Sequence, residues 1–147
     1  MHAGDIVEDF SVVTMDSPAL DAARMLAEHL LPGVVVTDAE GRPYAVLPAS
    51  QVVRFIVPGY VQDDPSLAGV LNESMADKCA ERLGGKKVRD VLPEQLLDVP
   101  SVDAGDTIIE VAAIMARHRS PLLAVMDRGE LRGVITASRL LAAALGR

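Results

Sequence analysis

The chain contains two copies of one sequence pattern. Many residues of the first copy align with identical residues of the second. The offset is 89 residues (118 − 29) as far as Asp38 and 88 residues (129 − 41) from Gly41 onwards. Such a duplication predicts two similar units that pack about a pseudo-twofold axis, with a natural ligand site in the cleft between them. The matched pairs are Asp9/Asp98, Val13/Val102, Ala23/Ala112, Ala27/Ala116, His29/His118, Pro32/Pro121, Val36/Val125, Asp38/Asp127, Gly41/Gly129, Val46/Val134, Ala49/Ala137 and Ser50/Ser138.

Composition narrows the class of protein. The 147 residues are 50% hydrophobic and 24% charged, which predicts a folded globular chain. The net charge of −7 predicts that the protein does not bind nucleic acid, because that needs clustered cations. The first ten residues lack the apolar run of a secretory signal, and the apolar stretches are too short for direct membrane insertion. Cys79 is the single cysteine, which favours a reducing, cytoplasmic location.

The same order of elements is predicted in both copies. An amphipathic helix leads to a proline, then to a β-branched apolar strand, an Asp-Gly turn, a returning strand and a second helix. A short extended segment precedes the first helix of each copy. The predicted strands are 34–37, 44–47, 122–126 and 133–135, the extended segments lie at 12–13 and 101–102, and the second helices begin near Ala49 and Ala137.

These features resemble a tandem pair of CBS (cystathionine-β-synthase) domains, also called a Bateman module. The segments from Pro32 to Asp38 and from Pro121 to Asp127 carry the resemblance, with the run Gly133-Val134-Ile135-Thr136. It implies an α/β fold of two β-α-β-β-α repeats. It also implies a homodimer, an adenosine-containing ligand (AMP, ADP, ATP or S-adenosylmethionine) between the repeats, and regulation of a partner enzyme, channel or transporter.

We place the first repeat at residues 1–56, an inter-repeat linker at 57–86 and the second repeat at 87–147. In the linker, Asp64-Pro65 is a helix start and Gly84-Gly85 a stop. The apolar positions between them, which include Leu71 and Cys79, predict a single helix of about five turns. That helix packs on the module's own surface or docks on a second protomer or partner.

The predicted ligand site lies in the second repeat. Thr136 stands where a strand meets a helix, so its hydroxyl and the free helix amides can point at a phosphate. Gly133 allows close approach of a ligand or of another backbone. Ser120, Pro121 and Leu122 offer a flat wall and free backbone groups to a purine ring. The alternative is that Thr136 only caps its helix and that Gly133 serves packing.

Two departures from the family pattern bear on this site. Nucleotide-binding repeats usually carry an aspartate three residues after the threonine, as acceptor for the ribose hydroxyls; this chain has Arg139. Arg139 either pairs with an anion or is a solvated helix residue. In the first repeat Pro48 and Gln51 take these positions, and Pro48 has neither hydroxyl nor amide proton. We therefore expect one ligand site per chain.

No catalytic motif is present, so we predict that the chain is not an enzyme. His29 and His118 each lie near a helix end without another metal ligand at suitable spacing, so we predict no metal site. Two functions stay open. The first is a regulatory module that binds a small anionic ligand and modulates a partner. The second is a ligand-independent interaction or dimerisation module with decayed sites.

Overall fold

Each half of the chain forms a three-stranded sheet with helices on one face. The structure, a computed structural model, describes residues 1–70 and 74–146. The first half contains α1 (Ala3–Ile6), β1 (Val12–Thr14), α2 (Ala19–Glu28), β2 (Gly33–Thr37), β3 (Pro43–Pro48) and α3 (Ala49–Ile56). The second contains α6 (Val88–Val91), β4 (Ser101–Asp103), α7 (Ile108–His118), β5 (Leu122–Asp127), β6 (Glu130–Thr136) and α8 (Ala137–Ala144). The linker between them contains α4 (Gly59–Asp63), a 3₁₀ helix (Pro65–Val70) and α5 (Met75–Leu83).

The two sheets have the same topology. In each, the first strand pairs parallel with the second, and the second pairs antiparallel with the third. The long helices α2 and α7 make the crossovers that a parallel pair needs. Thr107 caps α7 by accepting a hydrogen bond from the Glu110 amide, and the Glu110 carboxylate accepts from the Thr107 amide. The predicted α/β fold of two β-α-β-β-α repeats is confirmed.

The sheets face each other through an apolar layer. Val35 and Val46 of the first sheet and Leu122 and Val134 of the second form one buried cluster there. The opposite face of each sheet packs on its helices. Because β2 is covered on both faces, all five of its residues are buried. This accounts for its unbroken apolar sequence, which is typical of strands between two layers.

The short helices that lead into the repeats are exchanged between them. Ala3 and Ile6 of α1 lie in the core of the second repeat, while Val88 and Val91 of α6 lie in the core of the first. Backbone pairing continues the exchange: Glu8 forms a β-bridge with Val134. The equivalent bridge joins Leu97 to Val46. The sequence indicated matching lead-in segments but neither their helical form nor this exchange.

Charged side chains hold α6 in place. Asp16, in the turn after β1, forms ion pairs with Arg89 and with Lys87. The hydrogen bond and the charge of Arg89, with a smaller effect of Lys87, hold the pKa of the Asp16 carboxyl below its usual value. This contact ties the lead-in of the second repeat to the surface of the first.

The predicted five-turn linker helix is wrong. The segment is a 3₁₀ helix followed by the separate helix α5, and Leu71 lies outside the described residues. Ser74 starts the new helix, because its hydroxyl accepts a hydrogen bond from the Asp77 amide at 3.1 Å. Gly84 ends it, as predicted. Leu83 of α5 is buried in the core of the first repeat, with Cys79 packed at the edge of that core.

Candidate functional site

A cavity of about 410 Å³ lies between the repeats. This volume falls in the range of small-molecule sites. We call it the inter-repeat cavity, because both repeats and the lead-in of the second contribute to its wall. Its lining consists of four prolines (Pro32, Pro48, Pro100, Pro121), two aliphatic residues (Val46, Leu97) and five polar residues (Ser50, Asp98, His118, Arg119, Ser120).

The duplicated prolines fix the two strand-to-helix junctions. Each precedes the central strand of its sheet, and its carbonyl oxygen accepts the first amide of the repeat's second helix. The bond from Ala49 to Pro32 and the bond from Ala137 to Pro121 are both 2.9 Å. Each of these carbonyls thus accepts a helix amide, and the pyrrolidine rings contribute apolar surface to the lining.

Arg119 brings positive charge to the cavity. It follows the last residue of α7 and adopts a left-handed backbone conformation, with φ of 50°. A cation at the carboxyl end of a helix is stabilised by the helix dipole. Within the described part of the chain its guanidinium has neither an ion-pair partner nor a hydrogen bond. The group is thus available to an anion.

Asp98 adds a carboxylate to the same wall. It lies on the lead-in segment of the second repeat, next to Leu97, which is bridged to Val46. An ionised carboxylate only accepts hydrogen bonds, so Asp98 suits a ligand that presents hydroxyl or amine donors. The inter-repeat cavity therefore contains an acceptor, a cation and flat apolar surfaces.

Only two of the six site residues predicted from the sequence line this cavity. Ser120 and Pro121 do so, although the Ser120 hydroxyl already donates to the Leu122 carbonyl oxygen at 2.6 Å. Leu122 is fully buried between the sheets. Of the three residues predicted to form a wall for a purine ring, Leu122 therefore does not line the cavity.

The other three residues contact the first lead-in segment instead. The Thr136 hydroxyl caps α8 by accepting from the Arg139 amide at 3.1 Å. The Arg139 Nε donates to the Ile6 carbonyl oxygen at 3.2 Å. A Cβ at Gly133 would overlap the Glu8 carbonyl oxygen, so the close approach at this glycine is made by backbone. Gly133, Thr136 and Arg139 do not line the inter-repeat cavity.

Sequence reasoning missed four polar residues of the lining as ligand contacts. These are Ser50, Asp98, His118 and Arg119. Three of them belong to pairs that are identical in the two copies, namely Ser50/Ser138, Asp98/Asp9 and His118/His29. Polar identities retained by both copies were the available signal. Arg119 carried no such signal, because its counterpart is Leu30.

Residues 1–70 and 74–146 contain neither a membrane-spanning helix nor a metal-binding cluster. None of their helices is both long and apolar enough to cross a membrane. In the same ranges, no group of three or more His, Cys, Asp or Glu side chains is arranged to hold a metal ion.

The fold and the cleft define the class. Two β-α-β-β-α units with facing sheets and a cavity between them are a tandem CBS pair, as predicted. The sequence matches the CBS domain family over residues 3–58 and 88–146, and the chain belongs to that family.

Solved structures agree with this assignment. A CBS domain-containing protein of unknown function from Kribbella flavida is 54% identical, with a TM-score of 0.88 and 99% of each chain covered. CBSX2 in complex with AMP is 19% identical, with a TM-score of 0.63 and 99% of this chain and 96% of that one covered. A CBS domain of a membrane protein from Sphaerobacter thermophilus is 21% identical, with a TM-score of 0.67 and coverage of 96% and 86%. The latter two support the fold alone. No curated protein matches the chain.

Proposed function

We propose that this chain is a non-catalytic regulatory CBS pair that binds one small anionic, adenosine-containing ligand per chain in the inter-repeat cavity. Binding there alters the relative position of the repeats and so modulates contacts to a partner enzyme, channel or transporter. The observation that carries the proposal is that Arg119, whose guanidinium has no partner among residues 1–70 and 74–146, lines a cavity formed by both repeats.

The cavity's chemistry supports an adenosine compound. Arg119 suits a phosphate or carboxylate group. Asp98 supplies a hydrogen-bond acceptor for the ribose hydroxyls. Arg139 cannot take this role, because an arginine side chain only donates hydrogen bonds. The proline rings suit the face of a purine. AMP is the ligand named for CBSX2, a protein of the same fold.

A titration of two matched arginine variants tests the proposal. Calorimetry would use purified protein with AMP, ADP, ATP and S-adenosylmethionine. We expect one site per chain for at least one of them. Arg119→Ala should weaken its binding about 10- to 100-fold, since a hydrogen bond to a charged group contributes about 1.5–3 kcal/mol. Arg139→Ala is the control, because that side chain lies outside the cavity and should leave affinity within about twofold.

The reverse result would favour the site predicted from the sequence. If Arg139→Ala and Thr136→Val weaken binding while Arg119→Ala does not, the ligand lies beside Gly133, Thr136 and Arg139. Two equivalent sites per chain would contradict both arrangements.

A second candidate function is a ligand-independent dimerisation module. Its support is that Thr136 and Arg139 are engaged in capping and lead-in contacts, while Ile109 on α7, Leu141 on α8 and Leu145 just after α8 are exposed. A homodimer that binds none of the four tested compounds would favour this function.

We also propose the boundaries 1–56, 57–86 and 87–147 for the first repeat, the linker and the second repeat.

A further inference from the structure

The two histidines retained by the duplication have different surroundings. His29 follows α2, and its ring stacks on the ring of Phe10, with the centroids 4.1 Å apart and the planes at 16°. Phe10 lies on the first lead-in segment, two residues after Glu8, which is bridged to Val134. In this half of the molecule an aromatic ring of the chain itself therefore covers the imidazole face.

The second copy lacks this aromatic partner. The residue aligned with Phe10 is Val99, at the same offset of 89 (99 − 10). Val99 packs against the apolar layer between the sheets instead. His118, the copy of His29, lines the inter-repeat cavity. His118 therefore brings an imidazole to the cavity. The corresponding imidazole, that of His29, is stacked on the ring of Phe10.

We propose that His118 is the stacking platform for the planar ring of the cavity's ligand, and that Phe10 occupies the corresponding position beside His29. The inference rests on the proposed function and adds the group that selects the ligand's ring. The ligand is then a planar heteroaromatic ring that carries an anion, with the ring on His118 and the anion at the neighbouring Arg119.

Comparison of the two copies favours a ligand ring that stacks on His118 over a ligand held only by the charge of Arg119. Stacking of a base on an aromatic or imidazole ring is a common way to hold purines. The Phe10–His29 pair shows that a ring stacks on the imidazole at the end of α2, the helix that corresponds to α7. In the other half, Leu30 takes the place of Arg119, and Phe10 already stacks on His29. One site per chain follows from both differences.

Calorimetry with AMP tests the platform through three variants. His118→Ala should weaken AMP binding about tenfold, because it removes the ring. His118→Phe keeps a ring without ring nitrogens and should bind AMP within about threefold of wild type. His29→Ala is the control and should leave AMP affinity unchanged. Thermal denaturation of each variant verifies that the fold is retained. In NMR spectra, saturating AMP should shift the His118 ring protons upfield by the ring current of adenine.

The outcomes separate the inference from the proposed function. If wild type binds AMP and His118→Ala binds equally well, the stacking is wrong and the cavity site stands. If His118→Phe is as weak as His118→Ala, the imidazole acts through its nitrogens and the stacking is again wrong. If wild type binds none of AMP, ADP, ATP and S-adenosylmethionine, the proposed function and this inference fall together.

Discussion

At the scale of single residues, the run from Gly133 to Thr136 serves the architecture. Gly133 leaves room for the Glu8 backbone, whose amide donates to the Val134 carbonyl oxygen at 2.9 Å and whose carbonyl accepts from the Val134 amide at 2.7 Å. Thr136 caps α8. The sequence pattern of this run also suits a ligand site. In this structure the run holds the exchanged lead-in segment in position.

We expect Gly133→Ala to destabilise the protein strongly. Its Cβ would overlap the Glu8 carbonyl oxygen and the Val7 side chain, and φ of +155° disfavours an L side chain. Overpacking alone costs about 1–3 kcal/mol. Chemical denaturation would measure the loss. Gly105→Ala is the matched control, because its Cβ meets nothing within 4 Å, and it should change stability by about 0.5 kcal/mol or less. Equal stability of the two variants would contradict the close approach at Gly133.

At the scale of elements, the exchanged helices join the repeats. Asp5 accepts a hydrogen bond from the His2 amide, and Asp90 accepts one from the Lys87 amide, so α1 and α6 begin in the same way. Each then buries two apolar residues in the core of the other repeat. A change in the angle between the repeats must therefore move the lead-in segments, one of which carries Asp98 of the cavity.

Ile6→Ala should lower the free energy of unfolding by about 2–5 kcal/mol, the cost of truncating a large buried aliphatic side chain. Ile6 is 3% exposed in the core of the second repeat. Val53→Ala is the control, since Val53 is 51% exposed on α3, and it should change stability little. Urea denaturation of both variants measures the difference. A cost for Ile6→Ala no larger than the control's would mean that α1 is not docked on the second repeat.

At the scale of the whole molecule, the linker makes the pair asymmetric. Helix α5 packs against α2 and α3 of the first repeat. In the second repeat Ile109 and Leu145 are 76% and 69% exposed, whereas their counterparts Leu20 and Val57 are partly buried. This apolar surface on α7 and α8 is a candidate contact for a second copy of the chain.

We expect a homodimer through that surface. Light scattering at micromolar concentration should give twice the chain mass of 15.6 kDa. The double variant Leu141→Asp, Leu145→Asp should give the monomer mass, because charges buried at an apolar contact are costly. Tyr60→Asp alters an exposed side chain of the linker and is the control. A monomeric wild type, or a double variant that stays dimeric, would contradict this interface.

Local sequence determined the strands and the longer helices of both repeats, and it indicated the family. The four longer strands follow from short apolar runs bounded by prolines and turns, and α7 from its Thr107–Glu110 capping box. The duplication determined that there are two repeats. These features were predictable because strand and helix periods, caps and turns are encoded within a few residues. The linker helix was predicted too long, because the Ser74 cap, which starts α5 within the apolar pattern, was not recognised.

Tertiary structure alone decided which residues share a cleft. The pairing of Glu8 with Val134 joins segments more than a hundred residues apart, and the local pattern of neither segment indicates its partner. That pairing brings the Glu8 backbone against Gly133 and the Ile6 carbonyl oxygen against Arg139. The matching pairing of Leu97 with Val46 places Asp98 at the inter-repeat cavity. The sequence thus determined the two copies and their chemistry. The exchange of lead-in segments decided which residues of each copy face the cavity, because it depends on mutual burial of surfaces that are distant in the chain.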